Sequence, residues 1–120
     1  MASISLNAHN FDETIQRNDV VVVDFWAKWC GPCLAFAPIF EQVSLKHPDV
    51  VFAKVDIDAE PALANDFNVQ SIPLLMIFRR EFAVFSEPGM LSATNLHELV
   101  LEAKQIDIAI LREQRSEEKE

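Results

Sequence analysis

Residues 20–33 read VVVVDFWAKWCGPC: four valines, a single carboxylate at Asp24, the aromatic pair Phe25 and Trp26, and then the chain's only two cysteines, Cys30 and Cys33. An unbroken β-branched run is the pattern of a strand buried on both faces, so Val20 to Trp26 predicts a central strand. From Pro32 to about Lys46 the apolar residues Leu34, Phe36, Ala37, Phe40 and Val43 recur at helical spacing, with Pro38 inside the run and a kink expected there. The cysteines therefore stand where a buried strand ends and a helix starts. Unpaired N–H groups and the helix dipole at such a start favour an anion, which makes Cys30 the sulfur placed to ionise. Pro32 suits the first turn of the helix, and Gly31 is expected to turn the chain tightly while leaving the sulfur uncovered.

Two cysteines this close read as either metal ligands or a redox pair. A tetrahedral zinc site needs four ligands, and the other candidates, His9, His47 and His97, are scattered without ligand spacing. The redox reading needs only the two cysteines and accounts for their position. No metal is expected, and His47 and His97 read most simply as surface residues.

The remaining chain bounds the class. At 120 residues it is one domain, and a formal charge of −9 argues against nucleic acid or an anionic membrane as partner. No stretch approaches the roughly 18 uninterrupted apolar residues of a membrane span. The opening MASISLNAHNF has neither a basic leader nor an apolar core, so a cytoplasmic protein is expected.

Outward from the cysteine segment, extended and helical patterns alternate. Ser3 to Leu6 is a short strand and residues 9–17 a short helix with Asn10 as N-cap. Val50 to Val55 is a strand, Pro61 to Phe67 a short helix opened by its proline, and Leu74 to Phe78 with Phe82 to Phe85 a pair of strands forming a hairpin. Because RRE between them lacks the Gly or Asn of a tight turn, a longer or looser connection is expected. A last helix starts near Ser92 or Thr94 and continues well past residue 105. Leu96, Leu99, Val100, Ala103, Ile106 and Ile110 are expected to form its docking face; Leu101 and Ile108, seven apart, fall on another face and read first as scattered exposed apolar residues, a stripe for a partner or a second copy being the alternative. REQRSEEKE reads as a frayed, solvated end. The order is that of an α/β fold with a central mixed β-sheet flanked by helices on both faces.

WAKWCGPC, the preceding VVDF, the following Ala37-Pro38, and AKVDID, SIP and PGMLSA, in that order, resemble the thioredoxin family from about residue 3 to 105. The resemblance implies a thioredoxin fold over 1–105, with 106–120 as a C-terminal helical extension ending in a charged tail. It also implies a mechanism: Cys30 attacks a target disulfide, and Cys33 resolves the mixed disulfide. Resolution requires Cys33 to lose a proton. Asp24, flanked by Val23 and Phe25 and so expected to be buried with a raised pKa, could accept it directly or through a water. The family pattern pairs this carboxylate with Lys54, places Pro73 in cis facing the cysteines, and leaves the Ile72 backbone free to pair with an extended substrate. Trp29, Gly31, Pro32, Ile72, Gly89 and Met90 would form an apolar rim.

Partners implied are disulfide-containing proteins and a flavin-dependent, NADPH-linked thioredoxin reductase, with no cofactor bound to the chain. A monomer is expected, a weak dimer through the last helix being the alternative. Leu34, Leu74 and Met90 depart from the common bacterial pattern and make the site more apolar. They motivate an alternative in which the domain is an interaction or chaperone-like adaptor. An oxidant or isomerase ranks below both, because Gly-Pro between the cysteines resembles the reducing members.

Overall fold

The computed structural model describes residues 3–118. Among them the strands are β1 (Ser3–Ser5), β2 (Val20–Trp26), β3 (Val51–Asp56), β4 (Leu74–Arg79) and β5 (Phe82–Pro88). The helices are α1 (Phe11–Arg17), α2 (Gly31–Ser44), α3 (Pro61–Asp66), α4 (Ala93–Lys104) and α5 (Ile108–Glu118). Across the sheet the order is β1-β3-β2-β4-β5. β1 and β2 run parallel to β3, whereas β4 is antiparallel to β2 and β5 to β4.

β2 thus lies in the middle of the sheet, and its alternation divides the valines between two cores. Val21, Val23 and Phe25 pack with Phe11 and Ile15 of α1 and Leu63 of α3. Val20 and Val22 pack on the other face with Phe36, Phe40 and Val43 of α2 and Leu96 and Val100 of α4. Helices therefore cover both faces of a mixed sheet, which is why the central strand carries no polar alternation. Pro38 lies on the exposed side of α2, and the helix continues through it to Ser44.

Several expectations are corrected. Asn10 occupies the N-cap position of α1 but has helical backbone and makes no cap bond; its Oδ1 instead accepts from the Asn7 N–H at 2.8 Å. The hairpin loop is tight rather than loose. Arg79 pairs with Phe82, leaving only Arg80 and Glu81, whose φ angles of 50° and 72° are the left-handed pair that matches strand twist. Tertiary bonds hold this turn without Gly or Asn. Arg80 N–H donates to the Asp19 carbonyl at 2.8 Å, the Arg80 guanidinium pairs with the Asp19 carboxylate, and Glu81 pairs with Arg115 of α5 at 3.1 Å.

The last helix does not run through residue 105. α4 stops at Lys104, and α5 restarts after Asp107, whose Oδ1 accepts from the Ala109 N–H at 2.8 Å. Leu96, Val100 and Ala103 dock as expected, but Ile110 is exposed and α5 buries none of its side chains. Leu101 (exposed) and Ile108 (half-buried) fall on different helices and make no single stripe. Arg112–Glu118 is helical and solvent-exposed rather than frayed, tethered where Arg115 lies over the Phe82 ring at 4.0 Å; residues 119–120 are outside the described residues. His47 and His97 are not surface residues either: His47 is buried and in hydrogen-bond contact with the half-buried His97.

Candidate functional site

Cys30 is the N-cap of α2, with extended backbone at φ −90° and ψ 107°. The Cys33 backbone N–H points at Cys30 Sγ from 3.1 Å, so the sulfur does what a Ser or Asp oxygen does at other helix starts. The two cysteines form a disulfide with Cα atoms 5.2 Å apart, and this is the oxidised form of the pair. On reduction the same N–H and the dipole of α2 stabilise a thiolate at Cys30. Both sulfurs sit against Ala27, with Trp26, Ile57 and Ile72 around them. Gly31 has ordinary helical backbone, and a Cβ built on it meets nothing within 4 Å. The tight turn expected of it is therefore not there; Pro32 and the N-cap geometry set the chain direction.

Across from the sulfurs, the Ile72 carbonyl oxygen lies 3.8 Å from Cys30 Sγ, and the Ile72–Pro73 peptide is cis. Ile72 precedes β4 and is not drawn into the sheet ladder. The Pro73 carbonyl accepts the Gly89 N–H at 2.8 Å, which sets the 89–90 turn beside it. Gly89 has φ 104°, a conformation a side chain would strain. Trp29, Leu34 and Met90 stand out around the disulfide at 69%, 53% and 44% exposure, and Gly31 and Pro32 are also exposed. Leu74, by contrast, is buried under this rim and packs into the core shared with α1 and α3.

Asp24 is fully buried, and neither carboxylate oxygen has a hydrogen-bond partner in the protein. Alternation along β2 puts it on the α2 side of the sheet with Val22, and opposite Leu75 in register. Burial raises its carboxyl from 3.8 to about 7, a net rise that outweighs the opposing pull of the Lys54 charge. Lys54 is the register partner of Asp24 on β3, yet the two form no ion pair; the ammonium rests over the Trp26 ring at 4.7 Å instead. The expected pairing is thus a field effect between neighbours, not a salt bridge.

Of the residues expected at the site, Ile72 packs against the two cysteines where β2 gives way to α2, whereas Lys54 is turned onto the Trp26 ring. One contributor had no assigned role: Asp58 accepts the Trp29 Nε1–H at 2.8 Å and fixes the most exposed aromatic of the rim. Asp56 presents it, its Oδ1 accepting the Asp58 N–H at 3.0 Å in a local Asx turn. The D-x-D that ends β3 is the sequence signal for that arrangement.

With this geometry in view, the comparisons are consistent. The family model described as Thioredoxin matches residues 2–102. The chain is similar to Putative thioredoxin 2 of Streptomyces coelicolor, 43% identical over 111 residues, covering 92% of this chain and 83% of that protein. It is 44% identical over 96 residues to Thioredoxin C-3 of Corynebacterium nephridii, covering 79% of this chain and 66% of that protein. Among solved structures, a mutant thioredoxin from Halobacterium salinarum superimposes with TM-score 0.80 at 29% identity, covering 88% of this chain and 95% of the other. A buried-strand CXXC pair at a helix start, in a mixed sheet of this order, together with these matches, makes the protein a thiol-disulfide oxidoreductase of the protein-disulfide reductase type. The chain belongs to the thioredoxin family.

Proposed function

We propose that the chain donates two electrons to protein disulfides through Cys30, with Cys33 as the resolving thiol and Asp24 as the acceptor of its proton. The observation that carries this assignment is the Cys33 N–H on Cys30 Sγ at the first turn of α2, which distinguishes the two sulfurs electrostatically. In the reduced protein the Cys30 thiolate attacks one sulfur of the target. The target's S–S bond breaks, its leaving sulfur departs as a thiolate and takes up a proton, and Cys30 is left in a mixed disulfide. Cys33 then gives its proton to the Asp24 carboxylate, directly or through a water, and attacks Cys30 Sγ. The Cys30–Cys33 bond forms, the second target sulfur leaves, and the target carries away the two electrons.

Positioning follows from the rim. An extended target segment pairs with the free Ile72 backbone beside Pro73, as an added strand does, while Trp29, Gly31, Pro32, Gly89 and Met90 shield the reacting sulfurs. Lys54 tunes Asp24 through space. The oxidised pair is returned to the dithiol by a flavin-dependent thioredoxin reductase using NADPH, in the cytoplasm, with no cofactor resident on the chain. Residues 1–105 carry this activity as a unit, and 106–120 are an appendage to it.

The test is a trap. Cys33→Ser, reduced and mixed with a disulfide-containing protein such as insulin, is expected to accumulate a covalent adduct through Cys30, visible by intact mass and reversed by dithiothreitol. Cys30→Ser is expected to give none. Adducts carried by Cys33 in the Cys30→Ser protein at the same rate would reverse the assignment. A second reading, an adaptor in which partner binding outweighs catalysis, is favoured by the exposure of Leu34, Met90 and Trp29. Cys30→Ala separates the two, since an adaptor keeps its biological effect without the sulfur.

A further inference from the structure

The 14 residues of α2 separate the disulfide from a second polar cluster, about 20 Å away along the helix axis, which the redox chemistry does not use. His47, just beyond the end of α2, is 2% exposed and stacks on Phe52 of β3 with centroids 6.3 Å apart. Its Nε2 lies 2.8 Å from Nδ1 of His97 on α4, and its Nδ1 lies 2.9 Å from Nζ of Lys104 in the last turn of the same helix. Lys104 also reaches both carboxylate oxygens of Asp49, each at 3.1 Å. A continuous chain, Asp49 to Lys104 to His47 to His97, therefore ties α4 to the segment that follows α2.

The direction of every bond in this chain follows from Lys104. An ammonium only donates, so His47 Nδ1 must be an unprotonated acceptor. A neutral His47 then carries its hydrogen on Nε2 and donates it to His97, whose Nδ1 must be bare as well. The reverse arrangement, with His97 donating from Nδ1, would leave His47 without a hydrogen on either nitrogen, an imidazolate that does not exist at ordinary pH. An added proton has nowhere to go without breaking a bond: on His47 Nδ1 it meets Lys104, and on His97 Nδ1 it meets the His47 N–H. The charged groups acting on His47 are Lys104 and Lys46, which oppose protonation, and Asp49, which favours it. Asp19 and Arg79 lie across the adjoining cleft shared with Asp49 and Lys104, and Glu98 and Glu102 of α4 are exposed to solvent. Burial, Lys104 and His97 together hold the His47 imidazole below its ordinary 6.5.

We infer that this chain is an acid-released latch, which holds α4 against the end of α2 while the His47 imidazole is neutral and frees α4, with α5 behind it, when His47 is protonated. The sign is fixed by linkage. The native state keeps His47 unprotonated at pH values where the unfolded chain has protonated it, so the latch's contribution is complete above about 6.5 and is lost as pH falls through the lower native value. The apolar contacts of Leu96, Val100 and Ala103 remain, so release loosens α4 without unfolding the sheet.

The test uses the full oxidised chain. Amide hydrogen exchange, expressed as protection factors, is compared between α4–α5 and the central strands β2 and β3 at pH 7.5 and pH 5.0. Expected is a loss of protection in α4 and α5 of about tenfold per pH unit of opposed protonation, with β2 and β3 changing less. The double variant His47→Gln, His97→Asn offers an acceptor to Lys104 and an N–H to residue 97 but cannot titrate, and is expected to show no selective loss. Equal losses in wild type and variant, or no selective loss in wild type, would overturn the latch. Ring-nitrogen NMR shifts of the wild type give a check that does not depend on the variant folding. They are expected to show the Nε2–H tautomer of His47 at pH 7.5, and the Nδ1–H tautomer would overturn the hydrogen-bond chain.

Discussion

At the scale of one residue, the raised carboxyl of Asp24 couples folding to pH and, under the proposed function, couples catalysis to pH with the opposite sign. The native carboxyl keeps its proton up to about 7, whereas the unfolded one releases it near 3.8. Between those values the native state binds the extra proton, so stability is greatest below about 3.8 and falls as pH rises through about 7, by about 4 kcal/mol across the window. Asp24→Asn removes the cost of ionising a fully buried group but keeps a polar one without a partner. Its stability gain over the wild type is expected to be about 4 kcal/mol larger at about pH 8 than below about pH 4, read from urea denaturation at both; an equal gain at both pH values would contradict the linkage. The catalytic sign is the other way. Only the ionised carboxylate accepts the Cys33 proton, so resolution of the mixed disulfide in the wild type should speed up with a midpoint near about pH 7. The Asn variant should be slower by about tenfold or more and lack that midpoint. Asp58 makes a smaller case: Asp58→Ala frees the Trp29 indole, and a higher KM with kcat held is expected for protein disulfides.

At the scale of elements, α2 is the part whose seating matters most. Phe36 and Phe40 are fully buried, in contact at 5.9 Å, and Phe40 meets Phe52 edge-on at 5.2 Å. Phe40→Ala is expected to cost about 3–5 kcal/mol in denaturant unfolding. Removing residues 108–120, which bury no side chain among those described, should lower Tm by only a few degrees and leave disulfide reduction intact; failure of the truncated chain to fold would show that α5 packs more firmly than its exposure implies. Local chemistry explains why much of this was legible beforehand. Four consecutive valines admit little but a central strand, and a proline two residues after a cysteine marks the helix start that polarises it. What escaped the sequence depends on contacts between distant segments. Arg80 and Glu81 take left-handed backbone because Asp19 and Arg115 hold them, and no local residue announces that. The break after Lys104 contains neither Gly nor Pro, and the apolar spacing continues through Ile106 and Ile110 as if the helix did. His47 and His97 are 50 positions apart, so their pairing is visible only once α4 lies on α2.

At the scale of the molecule, β2 and α2 set up two ends with different chemistry. The end that joins strand to helix carries the disulfide, an apolar rim and a carboxyl poised near neutrality; the far end carries a hydrogen-bonded chain of imidazoles and a lysine. On the proposed roles, protonation at the first end would strengthen folding and slow resolution, whereas at the second it would loosen the C-terminal helices, so acid would act on the two in separate ways. The rim is apolar on a chain of formal charge −9, and under the proposed function Trp29, Leu34 and Met90 would be the side chains that meet a target. Electron donation is the central claim, and the reduction potential of the Cys30–Cys33 couple, from equilibration with defined ratios of reduced and oxidised glutathione, tests it most directly. Reference thioredoxins lie at about −270 mV and strong oxidants with the same motif near about −120 mV, values that belong to those proteins. A couple that stays oxidised until reduced glutathione is in large excess, near the first of these, is the result expected of an electron donor. A couple opened readily by glutathione, near the second, would contradict it and make the protein an oxidant of its targets.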